Sequence, residues 1–133
     1  LGAAYYRTGY WVYRALFNEV VRRVRPERLV ETDAPLATEI TVTRQPADHG
    51  RPERWLVHVV NWSPDRKAPP HPEFHDSPSP LRDVRVRIAL PFDRVRARLV
   101  VGDRTLEVRN VSGAWQLMIP RVELHEIIVL EPA

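Results

Sequence analysis

Val84-Arg85-Val86-Arg87-Ile88-Ala89-Leu90 is the stretch on which the fold turns. Apolar side chains stand at every second position, with Arg85 and Arg87 between the first three, the period of a strand with one face in a core and the other in water. Val95, Ala97, Leu99 and Val101 repeat that pattern against Arg94, Arg96 and Arg98. Upstream, Thr38–Arg44 alternates and is rich in β-branched residues, which suits a half-buried strand. Trp55-Leu56-Val57-His58-Val59-Val60-Asn61 is apolar on both faces apart from His58, so it predicts a central strand. Leu106 with Val108, then Trp115, Leu117 and Ile119, then Ile127–Leu130 supply three more. Arg28–Glu31 is a candidate for a short additional one.

The punctuation fits this reading. Gly102-Asp103 is a two-residue hairpin signal, Val111-Ser112-Gly113 predicts a longer turn, and Pro91-Phe92-Asp93 joins the two arginine-bearing strands. Seven or eight short strands with closely spaced turns predict an antiparallel β-sandwich. The proline-dense segment Ser63–Pro80 has no alternation and reads as a surface excursion.

One helix precedes the strands. From Thr8 to Arg25, apolar residues at Tyr10, Tyr13, Leu16, Phe17, Val20, Val21 and Val24 form a stripe at helical spacing, widened by Trp11 and Val12. Thr8 is the N-cap candidate, Arg22, Arg23 and Arg25 suit the negative end of the helix dipole, and Pro26 is the expected stop. A broad apolar face on a lone helix needs a surface to cover it. The start at Leu1 fits either a processed protein or a fragment of a longer polypeptide, and the helix favours the fragment, with residues 1–26 left from a preceding domain and 27–133 forming the sandwich.

Composition narrows the chemistry. The 133 residues carry a net charge of +3, and Lys67 is the single lysine, so the basic character is that of arginine. With no cysteine, disulfides, zinc–thiolate sites, Fe–S clusters and cysteine nucleophiles are excluded. Apolar runs such as Ile127–Leu130 are far too short to span a bilayer. No P-loop, GxGxxG or Ser/His/Asp arrangement occurs, so no cofactor is expected.

Several side chains invite a function. His71 and His75, near Glu73 and Asp76, have a ligand-like spacing, but Pro70, Pro72 and Pro78 argue against the helix that would align them, and no metal is expected. His58 reads as a core histidine. His125 and Glu126 are adjacent on a strand and point to opposite faces, so they cannot act as one acid–base pair. Glu39, Glu107, Glu123 and Glu126 are carboxylates without a pattern that selects a glycosidase pair.

Trp62, opening the proline-rich loop, is the best candidate for an exposed sugar-stacking ring, with His71 and His75 nearby in sequence. Asn61-Trp62-Ser63 and Asn110-Val111-Ser112 match the glycosylation sequon. Arg85, Arg87, Arg94, Arg96 and Arg98 predict a basic outer face on two neighbouring strands. Acidic neighbours (Asp83, Asp103, Glu107, Glu123), an absent domain, or an acidic glycan or nucleic acid could compensate that charge. The small net charge argues against nucleic acid. These arginines, with Tyr10, Trp11, Tyr13 and Phe17 of the helix, form the candidate docking face.

Three stretches carry a family resemblance: Val57-His58-Val59-Val60-Asn61, Leu81-Arg82-Asp83-Val84-Arg85-Val86, and Ile119-Pro120 through His125-Glu126-Ile127-Ile128-Val129. They resemble the C-terminal β-sandwich of bacterial glycoside-hydrolase-like proteins related to β-galactosidases with a trimerisation domain. The resemblance implies a catalytic (β/α)8 barrel and a flavodoxin-like trimerisation domain upstream, to which the first helix would belong. Catalytic carboxylates would then lie in the barrel and none in this chain. Its partners would be other domains of the same polypeptide, a trimer formed through them, and carbohydrate at the edge of the cleft.

Overall fold

The computed structural model describes residues 11–35, 38–62 and 79–133. Among them are one helix, α1 (Trp11–Val24), and nine strands: β1 (Val30–Thr32), β2 (Thr38–Gln45), β3 (Arg54–Asn61), β4 (Leu81–Ile88), β5 (Val95–Leu99), β6 (Arg104–Leu106), β7 (Val108–Val111), β8 (Ala114–Val122) and β9 (His125–Pro132). Residues Thr8, Tyr10, His71 and His75 lie outside the described residues. The helix belongs to one compact unit and all nine strands to another, which begins at Leu29.

Along α1, Val12, Leu16, Phe17, Val20 and Val24 are exposed, the apolar stripe expected from the spacing. Glu19 bridges to Arg22 and, at 3.1 Å, to Arg23, pairs at helical i,i+3 and i,i+4 spacing. No helix among the described residues is long and apolar enough to cross a membrane.

The strands form two antiparallel sheets, a four-stranded one in the order β1-β4-β8-β7 and a five-stranded one in the order β2-β3-β9-β5-β6. This is the expected sandwich, and β3 is the interior strand that its two apolar faces predicted. The core lies between the inner faces, where Val86, Ile88, Leu117 and Ile119 meet Val57, Val59, Ile128, Leu130 and Leu99. Strict alternation fails once. Leu81 and Val122 face each other in the core although period two would turn them outward. Both strands reset together where Asp83 adopts a left-handed φ of 52° across from Pro120, which has no N–H for the ladder.

Three expectations about connections are corrected. The run through Leu106 and Val108 is two strands. It breaks at Glu107, with β6 pairing β5 in the five-stranded sheet and β7 pairing β8 in the other. The two-residue turn is at Ser112-Gly113, between the pair Val111 and Ala114, with φ of 51° and 78° as a type I′ hairpin requires. Gly102-Asp103 instead lies in a four-residue loop between the pair Leu99 and Arg104, and Val101 is 64% exposed in it.

The cause of that longer loop is buried Glu126. One carboxylate oxygen accepts the Val101 and Ile127 N–H groups and the other accepts that of Gly102, each at 2.9 Å. A loop held by a carboxylate from the neighbouring strand has no need of a tight turn. Asn61, also buried, plays a similar part at the end of β3. Its amide donates to the Ser79 and Glu123 carbonyls at 3.0 and 2.8 Å, and its backbone N–H donates to Leu124. The residue that follows, Trp62, therefore leaves the sheet from a fixed point.

Candidate functional site

Alternation and register decide which side chains become neighbours on the outer face of the five-stranded sheet. In β3, Val57, Val59 and Asn61 turn inward, so His58 and Val60 turn outward. In β9, Glu126, Ile128 and Leu130 turn inward and His125 and Ile127 outward. Val60 pairs with His125 and His58 with Ile127, which makes the two histidines diagonal neighbours. On the other side of β3, Glu39 pairs with Val60 and Thr41 with His58. Glu39, Thr41, His58 and His125 thus share one outer patch across three adjacent strands.

The patch is bonded together. His58 Nδ1 lies 3.3 Å from His125 Nε2, with ring centroids 5.4 Å apart and planes 11° from parallel. That centroid separation is close to the longest that the N···N contact and two imidazole radii permit, so the rings meet edge to edge rather than face to face. One N–H donates across the contact, and the tautomers of the two rings are consequently linked. If His125 Nε2 donates, His58 carries its proton at Nε2 and His125 Nδ1 is an acceptor. If His58 Nδ1 donates, the roles reverse. Either neutral arrangement leaves one donor and one acceptor at the outer ends of the pair.

Trp62 joins the patch from the end of β3. Its indole N–H donates to Glu39 Oε2 at 2.9 Å while the residue remains 49% exposed. The Thr41 hydroxyl contacts Glu39 Oε1 at 3.5 Å. Among the described residues no three His, Asp or Glu side chains converge as metal ligands.

Trp115 and Trp55 serve packing. Trp115 is buried and donates to the Phe92 carbonyl at 3.2 Å. Trp55, half-buried, donates to Glu53 at 2.9 Å beneath the Arg44 guanidinium, 6.0 Å from its ring. Arg44 binds both oxygens of Glu53, at 3.1 and 2.8 Å. Hydrogen bonds from Arg44 and then Trp55 hold the Glu53 carboxyl below the usual carboxylate range, and the bond to Glu53 raises the Arg44 pKa.

The five arginines do not form one face. β4 carries Arg85 and Arg87 in the four-stranded sheet, whereas Arg96 and Arg98 lie on β5 in the five-stranded sheet, with Arg94 just before it. The strands joined through Pro91-Phe92-Asp93 separate into different layers instead of pairing. Arg87 pairs with Glu31 at 3.2 Å, Arg96 with Glu131 at 3.5 Å and Arg98 with Asp103 at 3.7 Å. Of the acidic residues expected to compensate them, Asp103 does so, while Glu107 pairs with Arg109 and Glu123 with Arg121. In the helix, Phe17 is exposed and Tyr13 half-buried.

The four glutamates named from sequence are each bonded within the fold, Glu39 to Trp62, Glu107 and Glu123 to arginines, and Glu126 to backbone N–H groups. His125 and Glu126 face opposite sides of β9, as expected. The sequon asparagine Asn61 is buried with its amide hydrogens donated to carbonyls, whereas Asn110 is exposed and accepts the Gly113 N–H at 3.2 Å. What the sequence did not reveal is the joining of Glu39 to Trp62 and of His58 to His125. The second pair is 67 residues apart, and only strand register brings it together.

Neither a protein-family model nor a curated protein matches this chain. Among solved structures it is similar to alpha-L-fucosidase isoenzyme 2 from Paenibacillus thiaminolyticus, with a TM-score of 0.80 and 24% sequence identity. The match covers 98% of this chain and 19% of that one, so the chain spans less than a fifth of its neighbour's length. The fold, a β-sandwich preceded by a helix, is therefore one that also occurs as a minor part of a glycoside hydrolase.

Proposed function

We propose that this chain is a non-catalytic accessory β-sandwich of a larger glycoside-hydrolase-like polypeptide. The observation that carries the reading is the lopsided coverage of the fold likeness, nearly all of this chain against 19% of a glycoside hydrolase. The bonding of Glu39, Glu107, Glu123 and Glu126 within the fold supports it, because a glycosidase needs two carboxyl groups facing one another across the scissile bond.

In this reading α1 belongs to the domain that precedes the sandwich, and its exposed stripe of Val12, Leu16, Phe17 and Val20 is the surface on which that domain closes. The parent is related to bacterial β-galactosidases with a trimerisation domain and assembles through it. The role of the sandwich is to buttress the neighbouring domains.

Amide hydrogen exchange of α1 tests this proposal, measured in the isolated chain and in a longer polypeptide that contains it. The helix should exchange more slowly in the longer chain, where its exposed apolar stripe is covered. Equal exchange in both would overturn the proposal.

A further inference from the structure

We infer that Trp62, Glu39, Thr41, His58 and His125 form a subsite for an uncharged pyranose ring. It deepens the accessory-domain reading by naming a ligand class, but it rests on the cluster's own geometry. The indole N–H of Trp62 is the ring's single donor and is committed to Glu39, which fixes the ring's orientation while half of the residue stays open to solvent. A fixed, accessible aromatic ring matches the apolar C–H face of a sugar.

Hydroxyl groups at the sugar's rim need donors and acceptors close to that ring. Glu39 has acceptor capacity beyond its contacts with Trp62 and Thr41, since a carboxylate offers about four lone-pair sites. The linked tautomers of His58 and His125 present one donor and one acceptor, and can exchange those roles to suit a hydroxyl, which itself both donates and accepts. Glu39, Thr41, His58 and His125 stand on β2, β3 and β9, bonded strands of one sheet, so the polar groups are pre-positioned rather than recruited from a loop. The one carboxylate within the cluster disfavours an acidic sugar, which is why the proposed ligand is uncharged.

The test is titration of the chain with methyl glycosides of glucose, galactose, mannose and fucose, and with methyl glucuronide, followed by indole fluorescence and backbone amide shifts. At least one uncharged glycoside should bind saturably, shift the amides of Thr41, His58 and Trp62, and outcompete the glucuronide. Trp62→Ala should weaken binding at least about tenfold, the loss of a stacking ring. Trp62→Phe should retain most of the affinity, which controls for folding, and Arg85→Ala on the other sheet should leave it unchanged. No saturable binding by any uncharged glycoside, shifts confined to residues outside the cluster, or affinity that survives Trp62→Ala would overturn the subsite. The accessory-domain reading fails separately, on the exchange of α1.

Discussion

The two sheets share a core built from the same alternation, yet their outer faces differ in kind. On the four-stranded sheet the outer face is charged, with Arg87 paired to Glu31 and Arg109 to Glu107. On the five-stranded sheet, the patch across β2, β3 and β9 holds two coupled imidazoles, a carboxylate and an exposed indole. Period-two alternation tells which residues face out but not which become neighbours. Register does that, and it disperses the arginines while it gathers Glu39, His58 and His125.

At their inner faces the two sheets should behave alike. Ile119→Ala in β8 and Ile128→Ala in β9 each empty a fully buried site, and each should destabilise the fold by about 3 kcal/mol in urea titration. A loss below about 1 kcal/mol at either site would mean that its strand does not face the core.

Glu126 comes next, because it is the one inward carboxylate of the five-stranded sheet, 3% exposed. Glu126→Gln leaves at least one of the three backbone N–H groups without an acceptor, and stability should fall by about 1–3 kcal/mol. Amide exchange at Val101 and Gly102 should accelerate more than elsewhere. Unchanged protection there would contradict the loop clamp.

The smallest effect is that of Arg44, Glu53 and Trp55, exposed ion-pair chemistry on the same sheet as the patch. Because the folded-state pKa of Glu53 is lowered, its contribution is complete above the unfolded carboxylate pKa and disappears as pH falls through the folded value. Glu53→Gln should therefore melt slightly earlier than the unaltered chain at neutral pH, with the gap closing below the usual carboxylate range. A gap that persists in strong acid would mean that the pair's charge is not its source.

Much of the fold was legible because burial imposes a period. Val84, Val86 and Ile88, or Trp115, Leu117 and Ile119, can be placed on an inner face from spacing alone. The switch between sheets at Glu107 was not legible, since Leu106-Glu107-Val108 keeps period two straight across the break. The turn lengths are not legible for a similar reason. The residues between Leu99 and Arg104 are shaped by Glu126, on a strand far along the sequence. Of the site, Trp62 was visible from its position after an apolar strand. Its tie to Glu39 and the pairing of His58 with His125 depend on register that no local pattern encodes.

Whether the purified chain turns over aryl glycosides decides if it is non-catalytic. Hydrolysis should be no faster than in buffer for gluco-, galacto- and fucopyranosides alike. Hydrolysis above that background, abolished by substituting a single carboxylate such as Glu39→Gln, would contradict it.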